Sequence, residues 1–335
     1  MSQNATPLPV RIAGTGAYLP ERRVTSAELE SRLGLASGWI ERRTGVRERR
    51  YNGGETAAFQ AACAARQALE RANVDIADVD AIVGASSGPQ QLIPCTAVWV
   101  QRELGAPEGR SVCFDINATC LSFLTALHTL APLVAAGVYR NVLVFSTEIA
   151  SRSLNPCQPE SFVLFGDGAA AAVLTQTPPG AASAMHHARF ETHASGAEHT
   201  QYRGAGSLHA PSDPRTTPDK NLFDMDGPAV FKLAARLAPP FLDGFFDELG
   251  WKRNTVCRVI PHQASRHGLD LFTVRLGFTQ NQVFRNIESR GNCIAASIPL
   301  ALHEAIVAGA VQRGDKLLLT GTGAGLTLGA VALTF

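Results

Sequence analysis

The chain has 335 residues, enough for one large domain or two of ordinary size with a substantial buried core. Apolar residues make up 45% and charged residues only 18%, which excludes a disordered binder and favours a well-buried α/β enzyme. A formal net charge of +1 gives no handle for nucleic acid or an anionic membrane surface, and no apolar run reaches membrane-spanning length.

The opening segment, MSQNATPLPV, lacks the basic stretch and apolar core of a secretory leader, so none is expected. Strand-like and helix-like segments then alternate along the chain. TAAFQAACAARQALERA reads as a helix, DAIVGASS as a strand, and FDINATC as a strand and turn feeding the apolar helix LSFLTAL. NVLVFSTE, CRVIPHQ and KLLLTGTG are short, aliphatic, strand-like runs, and SIPLALHEAIVAGA reads as a second buried helix. This alternation predicts a largely parallel sheet covered by helices.

The second half echoes the first in order. DAIVGASS is matched by CRVIPHQAS, FDINATC by NIESRGNC, NVLVFSTE by KLLLTGTG, and GDGAAAAVL by GAGLTLGAVAL. The offset of roughly 175 residues is too long for a solenoid and suits two similar units in one chain. The boundary is expected at TQTPPGAAS, dividing the chain into 1–178 and 179–335. The polar stretch from His186 to Asn221, with APSDPRTTPD inside it, reads as a loop excursion beside a substrate entrance.

Seven cysteines are scattered without metal-ligand spacing, so neither a disulfide framework nor a metal site is expected, and the setting is read as reducing and cytoplasmic. Three polar residues stand at corresponding seams: Cys120, His262 in VIPHQAS, and Asn292 in SRGNCIAAS. The carboxyl ends of parallel strands are where such folds build sites. A helix N-terminus would lower the Cys120 thiol from about 8.5 toward 7, making it a nucleophile. The plainer readings are a small buried hydrophobe for Cys120, a satisfied structural histidine for His262 and a helix cap for Asn292. Cys63, Cys95, Cys113, Cys157, Cys257 and Cys293 read as packing residues. Cys, His and Asn in this order also occur in papain-like proteases, but the CGSCW context of those enzymes is absent.

DINATC, FGDGAAA, PHQAS, GNCIAAS and GTGAGLTLG together resemble the ketoacyl-ACP synthase III family of thiolase-fold condensing enzymes, as do SGWIERRTGVRERR and GGET near the start. The resemblance spans essentially the whole chain. It implies an α/β thiolase fold: two duplicated αβαβα halves in a five-layered structure, forming a homodimer. It implies that Cys120 carries the acyl group, that His262 and Asn292 hold the thioester carbonyl of the extender, and that the N–H groups of Cys120 and Ala324 form the oxyanion hole. Trp39 and Arg43 resemble residues that bind the nucleotide of coenzyme A, and Ser265 stands at a further cofactor-contacting position. Lys232 and Arg266 resemble carrier-protein docking residues, and Leu92 and Ile93 lie where a partner subunit closes the acyl pocket. Coenzyme A or acyl carrier protein thioesters are then the substrates, with no permanently bound cofactor.

Several positions depart from that pattern. Ser122 replaces a glycine, Pro159 stands where an arginine meets the cofactor phosphate, Ser265 replaces an asparagine, and His267 replaces a docking arginine. These changes speak against acetyl-CoA as the primer and for an acyl-ACP or a larger acyl-CoA. Relatives that join two fatty acyl chains use a partner-loop glutamate as base, and here that position is Ile93. The resemblance therefore implies decarboxylative Claisen condensation of the Cys120 acyl group with a malonyl thioester, in fatty acid or secondary-metabolite synthesis. The alternative is acyl transfer from Cys120 to an alcohol or amine. A non-catalytic partner subunit would be expected to lack the nucleophile, which this chain keeps.

Overall fold

The computed structural model describes residues 6–335; the first five, part of the opening segment read above as lacking a leader, lie outside the described residues. A five-stranded sheet is ordered Val10–Tyr18, Gly168–Gln176, Asn141–Glu148, Ala81–Gly84, Val112–Asp115. Its first two pairings are antiparallel and its last two parallel. A four-stranded sheet is ordered Ala184–Thr192, Thr327–Thr334, Lys316–Gly323, Arg258–Pro261. It repeats the same directions: antiparallel, antiparallel, parallel. A parallel bridge from Val259 to Val283 stands where the fifth strand of the other sheet runs. The echoed segments thus take matching strand positions, Asn141–Glu148 with Lys316–Gly323 among them.

Helices cover both sheets in five layers. Ala57–Ala72 and Thr96–Leu104 pack on the outer face of the first sheet, with Leu69, Ile82, Val100 and Phe145 between them. Ser122–Ala135 and Ser297–Val307 lie between the sheets, where Leu124, Leu127, Ile298 and Leu302 join the largest core. Gly227–Leu249 and Arg266–Arg275 cover the outer face of the second sheet around Phe241, Phe245, Phe246 and Phe278.

The alanine content of the first helix has a packing reason. A Cβ at Gly14 or Gly16 would fall 2.3 Å from Ala68 O or 2.1 Å from Ala64 O. Helix and strand therefore meet at backbone distance, which larger residues on either side would prevent. Thr56 caps this helix by accepting the Phe59 N–H at 3.1 Å, and Asn73 closes it in the left-handed conformation.

Two expectations need correction. Residues 186–192 of the excursion are not loop but part of the strand Ala184–Thr192, an edge of the second sheet whose side chains reach the Gly227–Leu249 helix. The remainder, to Asn221, does run without long elements. The buried helix also does not begin directly after Cys120. A 3-10 turn, Thr119–Leu121, precedes Ser122–Ala135, just as Ile294–Ala296 precedes Ser297–Val307.

Candidate active site

Cys120 sits in the middle of its 3-10 turn, and three local contacts hold the turn rigid. Asn117 Oδ1 accepts the Thr119 N–H at 2.9 Å, Ser122 Oγ accepts the Ala118 N–H at 2.9 Å, and Ser122 Oγ donates to Thr119 O at 2.7 Å. Thr119 has φ +52°, a left-handed conformation that a β-branched residue adopts only under constraint. Ser122, one of the departures from the family pattern, is fully buried and staples the nucleophile turn to itself.

Asn292 stands in the matching turn of the second half. Its Oδ1 accepts the Ile294 N–H at 2.9 Å, and Ile294 has φ +47°. The equivalence is therefore Asn117 with Asn292 and Thr119 with Ile294, so the counterpart of Cys120 is Ala295 rather than Asn292. The backbone of Asn292 is held as well: its N–H donates to Leu164 O at 2.8 Å, and its carbonyl accepts the Gly166 N–H at 3.1 Å. Glycine is required on both sides. A Cβ at Gly166 would lie 2.1 Å from Arg290 O, and one at Gly291, already at φ +67°, would lie 2.7 Å from Leu164 O. With Oδ1 committed to the turn, the carboxamide presents Nδ2 as a donor. Cys293 rather than Asn292 stands at the cap of the following 3-10 turn, and it is the bond from the Ile294 N–H that orients the amide.

His262 follows the strand Arg258–Pro261, with its N–H donating to Thr320 O at 2.8 Å. Its Nδ1 is buried without a partner, leaving Nε2 as the nitrogen to meet a ligand. Gly321 brings the turns together: a Cβ there would fall 2.6 Å from His262 Cβ and 3.4 Å from Leu121 Cδ2. At Gly323 a Cβ would fall 2.7 Å from Thr119 Oγ1. The strand Lys316–Gly323 thus runs at contact distance between the histidine and the cysteine turn.

Burial dominates the electrostatics. It pushes the Cys120 thiol up to about 12, with the Glu148 carboxyl adding to the rise, while the Cys120 and Ala324 amides directed at the sulfur act in the opposite sense. The expected lowering by a helix N-terminus does not occur. The α-helix starts two residues later, and no cationic side chain offsets the loss of water. Burial also holds His262 down to about 4, so the imidazole is neutral at physiological pH.

His262 and Asn292 line one cavity of about 300 Å³, walled by Val230, Phe231, Ala234 and Phe241 of one outer helix and by Ser265, Leu269 and Phe272 of the next. The first half of the Gly227–Leu249 helix stands off the sheet, whereas Phe241, Leu242, Phe245 and Phe246 in its second half are buried. Ser265 Oγ accepts the Gly268 N–H at 3.1 Å and caps its helix, so it lines the cavity with its hydroxyl oxygen already engaged.

The remaining expected residues lie outside that cavity. Trp39 and Arg43 share a short helix, with the guanidinium 5.8 Å from the indole centroid. Arg43 pairs with Glu160 at 2.5 Å, beside the Pro159 position. Arg266 is exposed, packs over Gly45 and reaches Asp270 at 3.9 Å; Lys232 is exposed next to Phe231. Leu92 and Ile93 are 67% and 84% exposed on the loop before Thr96–Leu104.

Two buried acids were missed by the sequence reading. Glu148 ends the strand Asn141–Glu148 and is its one charged residue. Asp167, in FGDG, accepts the N–H of Asn52 at 2.7 Å and of Ser151 at 2.9 Å. A single acid ending a strand whose centre reads VLVF was the available signal for Glu148.

Comparison with known proteins gives concordant matches. A family model described as 3-oxoacyl-[acyl-carrier-protein (ACP)] synthase III matches residues 114–194, and its C-terminal companion matches residues 246–335. Beta-ketoacyl-[acyl-carrier-protein] synthase III of Neisseria gonorrhoeae is 34% identical over 327 residues, covering 97% of this chain and 99% of the relative. The crystal structure of 3-oxoacyl-[acyl-carrier-protein] synthase III from Aquifex aeolicus superposes with a TM-score of 0.88 at 36% identity, covering 97% of this chain and 100% of that one. The priming beta-ketosynthase of the R1128 polyketide pathway gives a TM-score of 0.89 at 31% identity, covering 97% and 96%.

Proposed function

The chain belongs to the 3-oxoacyl-[acyl-carrier-protein] synthase III family, and we propose that its three seam residues divide the condensing reaction of that family between them. It is an acyl-transferring condensing enzyme that joins an acyl group to a malonyl thioester with loss of CO₂. The sulfur of Cys120 attacks the thioester of the primer. The proton of the thiol ends on the departing carrier thiol, so the exchange needs no free thiolate in the resting enzyme. This suits a thiol that burial holds protonated.

In the second step the malonyl thioester loses CO₂, and the enolate oxygen is held by the Nε2–H of His262 and the Nδ2–H of Asn292. The enolate carbon attacks the acyl carbonyl on Cys120. The N–H groups of Cys120 and Ala324 stabilise the tetrahedral oxyanion; the sulfur then departs and takes up a proton. One preorganised donor of this kind is worth about 2.7–4 kcal/mol. The observation that carries the reading is the commitment of Asn292 Oδ1 to its own turn, which leaves Nδ2 as a donor in the cavity that His262 lines. Intact-protein mass spectrometry after mixing with acyl thioesters tests it: a single acyl adduct is expected, and it should be absent in Cys120→Ala.

The primer in this reading arrives on acyl carrier protein rather than coenzyme A. Arg43, expected to meet the nucleotide, is paired with Glu160, and Pro159 supplies no cation beside it. An anionic 3′-phosphate would face a carboxylate there. Exposed Lys232 and Arg266 are then the cations that meet the acidic carrier. A several-fold higher kcat/KM with acyl-ACP than with the same acyl-CoA is expected; the reverse order overturns this assignment.

Leu92 and Ile93, exposed on the loop before the Thr96–Leu104 helix, are assigned to a homodimer contact that closes the acyl pocket. Sedimentation of the parent and of Ile93→Asp tests this, with the parent expected as a dimer. The chain is read as two halves, 1–178 and 179–335, with the join between the strands Gly168–Gln176 and Ala184–Thr192. No helix among the described residues is long and apolar enough to cross a membrane. With all seven cysteines free, the cytoplasm is the compartment that this use of thiols suits.

A further inference from the structure

Glu148 has no part in the steps above, yet it is 4% exposed at the meeting point of both functional turns. Its Oε1 accepts the Ser87 N–H at 2.6 Å and its Oε2 meets the Ser87 hydroxyl at 2.7 Å. Its carboxyl also faces the backbone amide of Ala295, the counterpart of Cys120 in the Asn292 turn, which acts to lower its pKa. On the other side, Ser87 O accepts Asn117 Nδ2 at 2.9 Å, and Asn117 Oδ1 holds the Thr119 N–H. The Ser122 hydroxyl, which donates to Thr119 O, also lies 3.1 Å from the neighbouring Ser86 O. One buried carboxyl therefore links the Ile294–Ala296 turn, through Ser87 and Asn117, to the Thr119–Leu121 turn.

The second half shows that this is a choice rather than a requirement of the fold. Gly323 takes the equivalent place at the end of Lys316–Gly323, and its backbone meets the Thr119 turn so closely that a Cβ would lie 2.7 Å from Thr119 Oγ1. Where one half makes contact through bare backbone, the other inserts an acid. An apolar side chain would fill the space without the cost of burying a carboxyl, so the acid's hydrogen bonds and its proton are the features to explain.

We propose that Glu148 is a positioning residue that holds the cysteine and carboxamide turns in register, and that its charge governs the reactivity of Cys120. Burial raises this carboxyl to about 7, with the Ser87 and Ala295 contacts opposing the rise and Asp167 adding to it. The other titratable groups it faces are Cys120 and Cys293, both of whose thiols its charge pushes upward. Ionised Glu148 opposes a thiolate at Cys120, so a neutral carboxyl favours every step in which negative charge grows on that sulfur. The proposal rests on Cys120 as the nucleophile but goes beyond the condensation chemistry.

The test is the pH profile of Cys120 alkylation by iodoacetamide in the full chain, read by peptide mass spectrometry for the parent and Glu148→Gln. This readout needs no acyl substrate, so it can fail separately from the condensing function. Equal rates are expected at pH 6, and above pH 7 the variant should react about threefold to tenfold faster, the consequence of a half to one unit of lowering at the thiol. Superimposed profiles would overturn the electrostatic role. In condensation, Glu148→Ala should lower kcat about tenfold with little change in KM, and Glu148→Gln should restore most of it. Full kcat in Glu148→Ala would overturn the positioning role, and if that variant does not fold, the Glu148→Gln profile decides.

Discussion

Gly321 passes His262 so closely that a Cβ on the glycine would stand 2.6 Å from the Cβ of the histidine, well inside any real contact. The imidazole is thus seated by bare backbone on a strand that also touches Leu121 beside the nucleophile. Gly321→Ala should push His262 out of place at a stability cost of about 1–3 kcal/mol. Because the histidine acts at the enolate, CO₂ release from malonyl-ACP should fall further than acyl loading does. Rates of the two half-reactions, with a thermal midpoint alongside, check this.

Asn292→Asp separates the two faces of the carboxamide. The turn keeps its acceptor for the Ile294 N–H, so the variant should fold, but the Nδ2 donor is gone and a negative charge faces the enolate. Condensation should drop by at least about 10²–10³, with the acyl adduct on Cys120 still forming. His262→Ala should show the same division between steps.

Thiol reactivity should run against the usual expectation for a nucleophilic cysteine. Cys157 and Cys257 are exposed, whereas burial holds Cys120 up to about 12. Iodoacetamide at pH 8 should therefore label Cys157 and Cys257 before Cys120, while acyl thioesters should modify Cys120 alone. Peptide mapping after timed quenching reads both orders.

Stability should depend on pH through His262 and Glu148 with opposite signs. His262 is held down to about 4 from an ordinary 6.5, so its contribution is complete above pH 6.5 and is lost as pH falls toward 4. Glu148 is raised from 4.5 to about 7, so its contribution is complete below pH 4.5 and is lost as pH rises toward 7. Each amounts to about 3 kcal/mol in full, and between pH 4.5 and 6.5 they partly cancel. Glu148→Gln removes one side of that balance, so urea unfolding should show a steeper loss of stability on acidification in the variant than in the parent.

Much of this was legible in the sequence because it follows from repetition. The paired segments NVLVFSTE and KLLLTGTG take matching strand positions, and the seams holding Cys120 and Asn292 fall in matching turns. The register within those turns was not legible. The two asparagines, Asn117 and Asn292, align, and Cys120 faces Ala295 across the pseudo-twofold, which only the left-handed Thr119 and Ile294 reveal. The thiol's acidity was misjudged because helix position says nothing of desolvation, which depends on packing from distant strands. Glu148 was hidden for the same reason: its partners, Ser87 and Ala295, lie far from it in sequence.

The claim on which the rest depends is that an acyl group on Cys120 is joined to a carbanion made by decarboxylation. CO₂ released when malonyl-ACP is added to protein already acylated on Cys120 measures this directly. One CO₂ per acyl group consumed, with a 3-oxoacyl-ACP formed in equal amount, is the expected result. Loss of the acyl group to an alcohol or amine without CO₂, or an acyl adduct that persists in Cys120→Ala, would contradict it.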